Sequence, residues 1–352
     1  SMINKLYFII IFFFFSCSEI DENEVESSAE DLIDWTSIDL TNDFVVGNFD
    51  EKGINKTKLQ AELDNISDFF RSDLYSLGVL YKGKLIIENY YSGNADSRRP
   101  IWSITKSVLS SGYGHLIYNN QLLNTETPLS LFYSLDTAEK SSINIGNLLM
   151  MNSGVGDNLG YVSKSDPIQY ILSEPLTFSP GTWWAYTSAG THLLSDIMTK
   201  ATGQTTKDYL DKHILNPIGI YNYDWESIKE VHNGGFGINF RLLDMLRFGQ
   251  FYLQKGKSGN KQILSQEWVD ISTQGLVNFN AERGYGFLWW IDKQGDDITY
   301  SARGYSGQFI VVNPKRALVI CVSSRTRNNN FDYLNGIDSF IKQLINSFDI
   351  VQ

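Results

Sequence analysis

The chain has 352 residues, 42% hydrophobic and 14% aromatic, enough for one enzyme-sized domain around a buried core. Its formal net charge is −11, and its densest basic run, Lys255 to Lys261, is broken by glycines, which speaks against nucleic acid as a partner. The four histidines (His115, His192, His213 and His232) show neither HxH nor HExxH spacing, so neither a metal nor an organic cofactor is implied.

Asn4 and Lys5 lead into an apolar run from Leu6 to Phe15, closed by Ser16 and Cys17. A basic start, about ten apolar residues and a small residue at the cut describe a secretory signal, too short to span a bilayer. Ser16-Cys17 resembles a bacterial lipobox, although Phe14 and Phe15 depart from its usual residues. That resemblance implies lipidation at Cys17 and a place in the cell envelope, held to the membrane only by the N-terminal lipid. From Glu19 to Asp34 come eight acidic residues and no basic one. Such a run repels itself and forms no core, so residues 18–50 read as a flexible tether and 51–352 as the folded domain.

Residues 77–91 read as a β-hairpin, two apolar runs around Lys82-Gly83-Lys84. Ser103 to Tyr118 lacks proline and spaces apolar residues as a helix does, with Ser103 near its start. Residues from about 119 to 235 form helical segments broken by Pro and Gly, and Leu242 to Leu253 is another helix, ended by Lys255-Gly256. Strand patterns return from Tyr285 to Val322: the GFLWWI run, 297–301, 308–312 and the apolar stretch around Cys321, itself read as a buried free thiol. An amphipathic helix over 333–347 closes the chain. Strands, a long helical insertion, strands and a last helix describe an α+β fold, an antiparallel sheet flanked by helices with an inserted helical lobe.

Ser103-Ile-Thr-Lys106 is an S-x-x-K sequence. On a helix these positions share a face, so the amine can reach the hydroxyl. At the first turn the Ser103 N–H lacks an intrahelical partner and can meet a developing oxyanion. A serine hydroxyl is a weak nucleophile until a neighbour takes its proton, and a desolvated lysine can do so. The pattern alone is weak: Ser258/Lys261 and Ser339/Lys342 repeat it, and both read as surface coincidence.

The second constellation is Phe178-Ser-Pro-Gly-Thr-Trp-Trp-Ala-Tyr-Thr-Ser-Ala-Gly190. It resembles the Pro-Gly-x-x-Trp-x-Tyr-Ser-Asn-x-Gly segment of the class C β-lactamase and penicillin-binding-protein family, with its esterase and peptidase relatives. Leu148 to Gly154, Gly234-Gly235 and Asp244 to Gln250 are similar to further segments of that family, so the resemblance runs from about Leu77 to Phe340. It implies Ser103 as nucleophile, with Lys106 and Tyr186 sharing proton transfer and no assignment of which is the base. Ala302-Arg303-Gly304-Tyr305 stands where the family has Lys-Thr-Gly or His-x-Gly, so the Tyr305 N–H would be the second oxyanion donor beside Ser103. Gly304, Ser188 and Arg303 are the further substrate-binding candidates.

Two departures limit the transfer. Ser188 replaces the asparagine of Tyr-x-Asn. Ala302 replaces the cation that would meet a β-lactam carboxylate, and Arg303 alternates to the other strand face. The Ala-Arg-Gly-Tyr-x-Gly-Gln pattern looks more like relatives that cleave esters or linear amides, of the 6-aminohexanoate-dimer hydrolase type. The expectation is therefore an exported, monomeric serine hydrolase acting on a small-molecule or peptide ester or amide, with β-lactam turnover weak or absent. The alternatives are a D-Ala-D-Ala-type peptidase and a non-catalytic binding lipoprotein of the same fold. No G-x-S-x-G occurs, so that nucleophile elbow is absent.

Overall fold

The computed structural model describes residues 33–66, 73–156, 159–325 and 331–351. The signal over 1–17, the lipidation candidate Cys17 and the tether up to residue 32 lie outside the described residues. The chain separates into two units, Ser1–Ile33 and Asp34–Gln352, and the second carries the fold described below.

The main sheet has eight strands: β1 (Leu74–Tyr81), β2 (Lys84–Tyr90), β3 (Val277–Asn278), β4 (Arg283–Tyr285), β5 (Trp290–Gln294), β6 (Asp297–Arg303), β7 (Phe309–Asn313) and β8 (Leu318–Ser324). Their spatial order is β3-β4-β5-β6-β7-β8-β1-β2, every pair antiparallel. Five helices matter here: α1 (Lys56–Asp64), α2 (Ile104–Gly114), α3 (Ser188–Thr202), α4 (Leu242–Leu253) and α5 (Phe331–Ile345). Both sheet faces are covered, which is why β8 reads as an unbroken apolar run instead of an alternation. Val319 and Cys321 enter the core shared with α2 and α4, whereas Leu318, Ile320 and Val322 enter the one closed by α1 and α5. Burial pushes the free Cys321 thiol up, so it packs as an inert apolar group.

The α+β class and the antiparallel sheet are as the sequence predicts. The GFLWWI run is not one strand. The chain turns between β4 and β5, Leu288 takes a φ of +64°, and the Gly286 N–H donates back to the Trp289 carbonyl. That turn is fastened to α2, because Ser107 Oγ donates to the Leu288 carbonyl at 2.6 Å and Ser110 Oγ to that of Phe287 at 2.8 Å. Period-2 reasoning missed it because all six residues are apolar or glycine and five of them are buried.

The tether expected over 18–50 ends earlier than its acidity suggested. Leu40 is fully buried, the Arg247 guanidinium donates to its carbonyl at 3.0 Å, and Gln250 and Gln254 donate to the carbonyls of Trp35 and Ile38. Val46 pairs with Leu85 alongside β2. Two polar side chains of α4 and its C-cap Gln254 thus hold this segment by its backbone, a contact no local pattern announces. Ser258, expected at the surface, is buried and its Oγ accepts from the Leu40 N–H at 3.0 Å. Its lysine partner is incidental.

Candidate active site

Helix α2 runs beneath the β4–β5 turn, and Ser103 is the residue just ahead of its first turn. The residue before it, Trp102, sits at a φ of +48°, a region a tryptophan enters only at a cost of about 1–3 kcal/mol. The surroundings hold it there: its ring lies 6.2 Å from that of Phe236 and 6.0 Å from that of Tyr305. This kink delivers Ser103 into the start of α2.

One turn on, Lys106 is only 1% exposed. Its ammonium nitrogen lies 2.9 Å from Ser103 Oγ, 3.1 Å from Ser188 Oγ and 2.8 Å from the Gly235 carbonyl oxygen, all neutral oxygens. The same nitrogen stands 4.7 Å from the centroid of the Tyr186 ring. The structure therefore brings Ser103, Lys106, Tyr186 and Ser188 into one cluster. The Ser188 hydroxyl faces the lysine.

Local chemistry explains the convergence. Thr187 caps α3, its hydroxyl accepting from the Gly190 N–H at 3.1 Å, a feature usually contributing about 1 kcal/mol. The segment leading in is tied to residues 148–154: Ala185 N–H donates to the Met151 carbonyl, and Gly181 N–H to that of Asn152. Tyr186 is thereby fixed on the exit from the helical lobe. Its ring stacks on Trp290 at 5.8 Å and meets Tyr285 edge-on at 6.5 Å. Tyr285 is fully buried, which pushes its phenol up and keeps it neutral.

The Gly235 carbonyl is the site element that sequence reasoning missed. A Cβ at Gly235 would stand 2.8 Å from that of Ser188, so only glycine lets this loop approach α3 closely enough for its carbonyl to meet Lys106. The neighbouring Gly234-Gly235 pair was the available signal, and Asn233 Oδ1 pins the loop by accepting from the Gly235 N–H at 2.9 Å.

At the third motif, Ala302 is fully buried beside α2 and Gly304 is held by its N–H bonding the Gln308 carbonyl at 2.8 Å. A Cβ on Gly304 would meet the Ile101 carbonyl oxygen at 2.8 Å, so the strand end passes tight against the approach to Ser103. Tyr305 is 46% exposed. Arg303 is a correction to the candidate set. Its guanidinium pairs with Asp292 and Asp338, and its Nε donates to Ser301 Oγ at 2.8 Å. Strand alternation sends it to the α5 side, where carboxylates neutralise it. Among the described residues no group of three or more His, Cys, Asp or Glu side chains could hold a metal.

Comparison with known proteins follows from this geometry. A family model described as Beta-lactamase matches residues 75–338. An uncharacterized protein of Alkalihalophilus pseudofirmus is 20% identical over 309 residues, 75% of this chain and 88% of that one. A Bacillus anthracis protein assigned as a 6-aminohexanoate-dimer hydrolase superposes with a TM-score of 0.69 at 19% identity, covering 88% of this chain and 89% of its own. The D-amino acid amidase of Ochrobactrum anthropi SV3 does so at 0.65 and 16%, covering 83% and 98%. At these identities the structural likeness is one of fold.

Proposed function

Because the chain belongs to the β-lactamase family, whose fold is that of the serine hydrolases, we propose that it cleaves an ester or linear amide through an acyl-enzyme on Ser103. One observation carries the reading: Ser103 Oγ lies 2.9 Å from a buried amine that neutral oxygens hold in place beside a tyrosine ring.

In this reading the uncharged Lys106 amine takes the Ser103 proton as the hydroxyl oxygen bonds to the substrate carbonyl carbon. The carbonyl oxygen becomes an oxyanion, met by the N–H groups of Ser103 and Tyr305. The proton passes through Lys106 and Tyr186 to the departing oxygen or nitrogen as its bond to the carbonyl carbon breaks. Water then attacks the acyl-enzyme, giving its proton back through the same groups and releasing the acid. Buried Ala302 and neutralised Arg303 support a substrate with no carboxylate beside the scissile bond, and hence feeble β-lactam turnover. Export by the signal over 1–17 and anchoring through Cys17 complete the proposal. They rest on the sequence alone.

A fluorophosphonate probe tests the reaction class. The wild type should take up one label at Ser103 and Ser103→Ala none; equal labelling of both would remove Ser103 as nucleophile.

A further inference from the structure

We infer that the site extends past Tyr186 into an aromatic subsite that takes an aryl group of the substrate. A cleft of about 710 Å³ lies between Asn152, Thr182, Trp183, Trp184, Asn278 and Phe279, with no charged side chain in its lining. That volume suits a small-molecule site. Trp183 is 70% exposed and Phe279 41%, so both offer ring surface at the mouth of the cleft.

The cleft adjoins the aromatic cluster that holds Tyr186, with Trp184 and Phe279 common to its lining and to that cluster. Trp184 is the hub, meeting Phe279 edge-on at 4.6 Å, Trp290 at 5.8 Å and Tyr285 at 5.5 Å, with Tyr186 at 6.4 Å. Trp290 in turn stacks on Tyr186. An unbroken wall of rings therefore leads from beside Lys106 to the open mouth formed by Trp183 and Phe279.

The polar side chains decide between an aromatic group and a sugar, both of which stack on rings. Asn152 Oδ1 accepts from Asn147 at 3.0 Å, and Thr182 Oγ1 donates to the Ser179 carbonyl at 2.6 Å. Asn278 donates to the Gly275 carbonyl at 3.0 Å and accepts from Lys293 at 2.9 Å. These bonds take up part of the polar capacity of the cleft, and most of its lining is aromatic or aliphatic (Trp183, Trp184, Leu276, Val277 and Phe279). Edge and face contacts with an aryl group use that surface more fully than the hydroxyls of a sugar.

The inference relies on the Ser103 reading for where the scissile bond sits, yet its test does not need turnover. Binding of N-(2-naphthyl)acetamide to the full-length wild type is followed by the ligand's fluorescence anisotropy, with acetamide and methyl β-glucoside as competitors. Binding should weaken about fivefold to tenfold in a Trp183→Ala/Phe279→Ala double variant and recover most of the loss in Trp183→Phe/Phe279→Tyr. Neither competitor should displace the ligand at equal concentration. Absent binding, equal binding in wild type and double variant, or displacement by the glucoside would overturn the subsite. Failure of Ser103 to label would instead refute the hydrolase reading and leave these binding results to judge the cleft.

Discussion

Replacing Lys106 by methionine separates the two roles a buried amine can have. The amine makes three hydrogen bonds at 2.8–3.1 Å and is 1% exposed. Methionine fills a similar volume, so little cavity is created. It leaves the Gly235 carbonyl and the Ser188 hydroxyl short of a donor, which costs about 1–3 kcal/mol for a buried group. Against this, a neutral polar amine no longer has to be kept out of water, a cost of about 1–3 kcal/mol. The two oppose each other, so the melting temperature should change little. The chemistry changes far more. Loss of a positioned proton acceptor typically costs about 10²–10⁴ in rate, or roughly 3–5 kcal/mol of barrier. The assay pairs the acylation rate with an activated ester, measured in a single turnover, with calorimetric unfolding of the same samples. Acylation by Lys106→Met within about threefold of wild type, or a rate loss accompanied by an equally large loss of fold, would refute the assignment.

Other outcomes follow from the same coordinates. Gly235→Ala pushes a methyl into Ser188 and moves the carbonyl off Lys106, so kcat/KM should fall about 10²-fold while urea unfolding shows a loss of only about 1–3 kcal/mol. Leu40→Ala should cost about 2–5 kcal/mol in denaturant unfolding, where a tether residue would cost nothing measurable. Burial pulls the His115 and His192 imidazoles down to about 4, so the folded chain keeps both neutral. Above pH 6.5 the unfolded chain is neutral there too and no stability is at stake. Between pH 6.5 and 4 only the unfolded chain gains protons, and stability falls by about 1.4 kcal/mol per pH unit for each histidine. Burial lowers His213 and His232 as well, so His192→Phe should remove about a quarter to a third of the histidine slope seen between pH 6.5 and 5.5 in pH-dependent unfolding; an unchanged slope would show that His192 titrates alike in both states.

What the sequence made legible, and what it hid, divide along the distance over which each feature is determined. The S-x-x-K pair is a property of one helical turn, so the meeting of Ser103 and Lys106 could be read directly from spacing. Tyr186 was legible through the resemblance of the 178–190 segment, a short run of residues and so also local. Helix α4 was read to the residue because its glycine and lysine stop signals adjoin it. The Gly235 carbonyl, the seat of Leu40 on α4 and the aromatic wall around Trp184 all join segments far apart in sequence. Each residue there is individually ordinary. The positive φ at Trp102 was hidden for a different reason: no residue preference favours it, and it is held by tertiary packing that includes Phe236 and Tyr305.

The pairing of β1 with β8 has a consequence for how this protein comes into being. It joins Leu74 to Ser324, roughly 250 residues apart, inside the sheet and one strand from its β2 edge. The first hairpin therefore has no neighbour on one side until nearly the whole chain has been synthesised, and a ribosome-bound fragment ending before Phe309 lacks both β7 and β8. Closure comes late and slowly, as pairings of such long range do. Until then the nascent chain exposes a bare apolar strand edge, an extended form in which chaperones would find it.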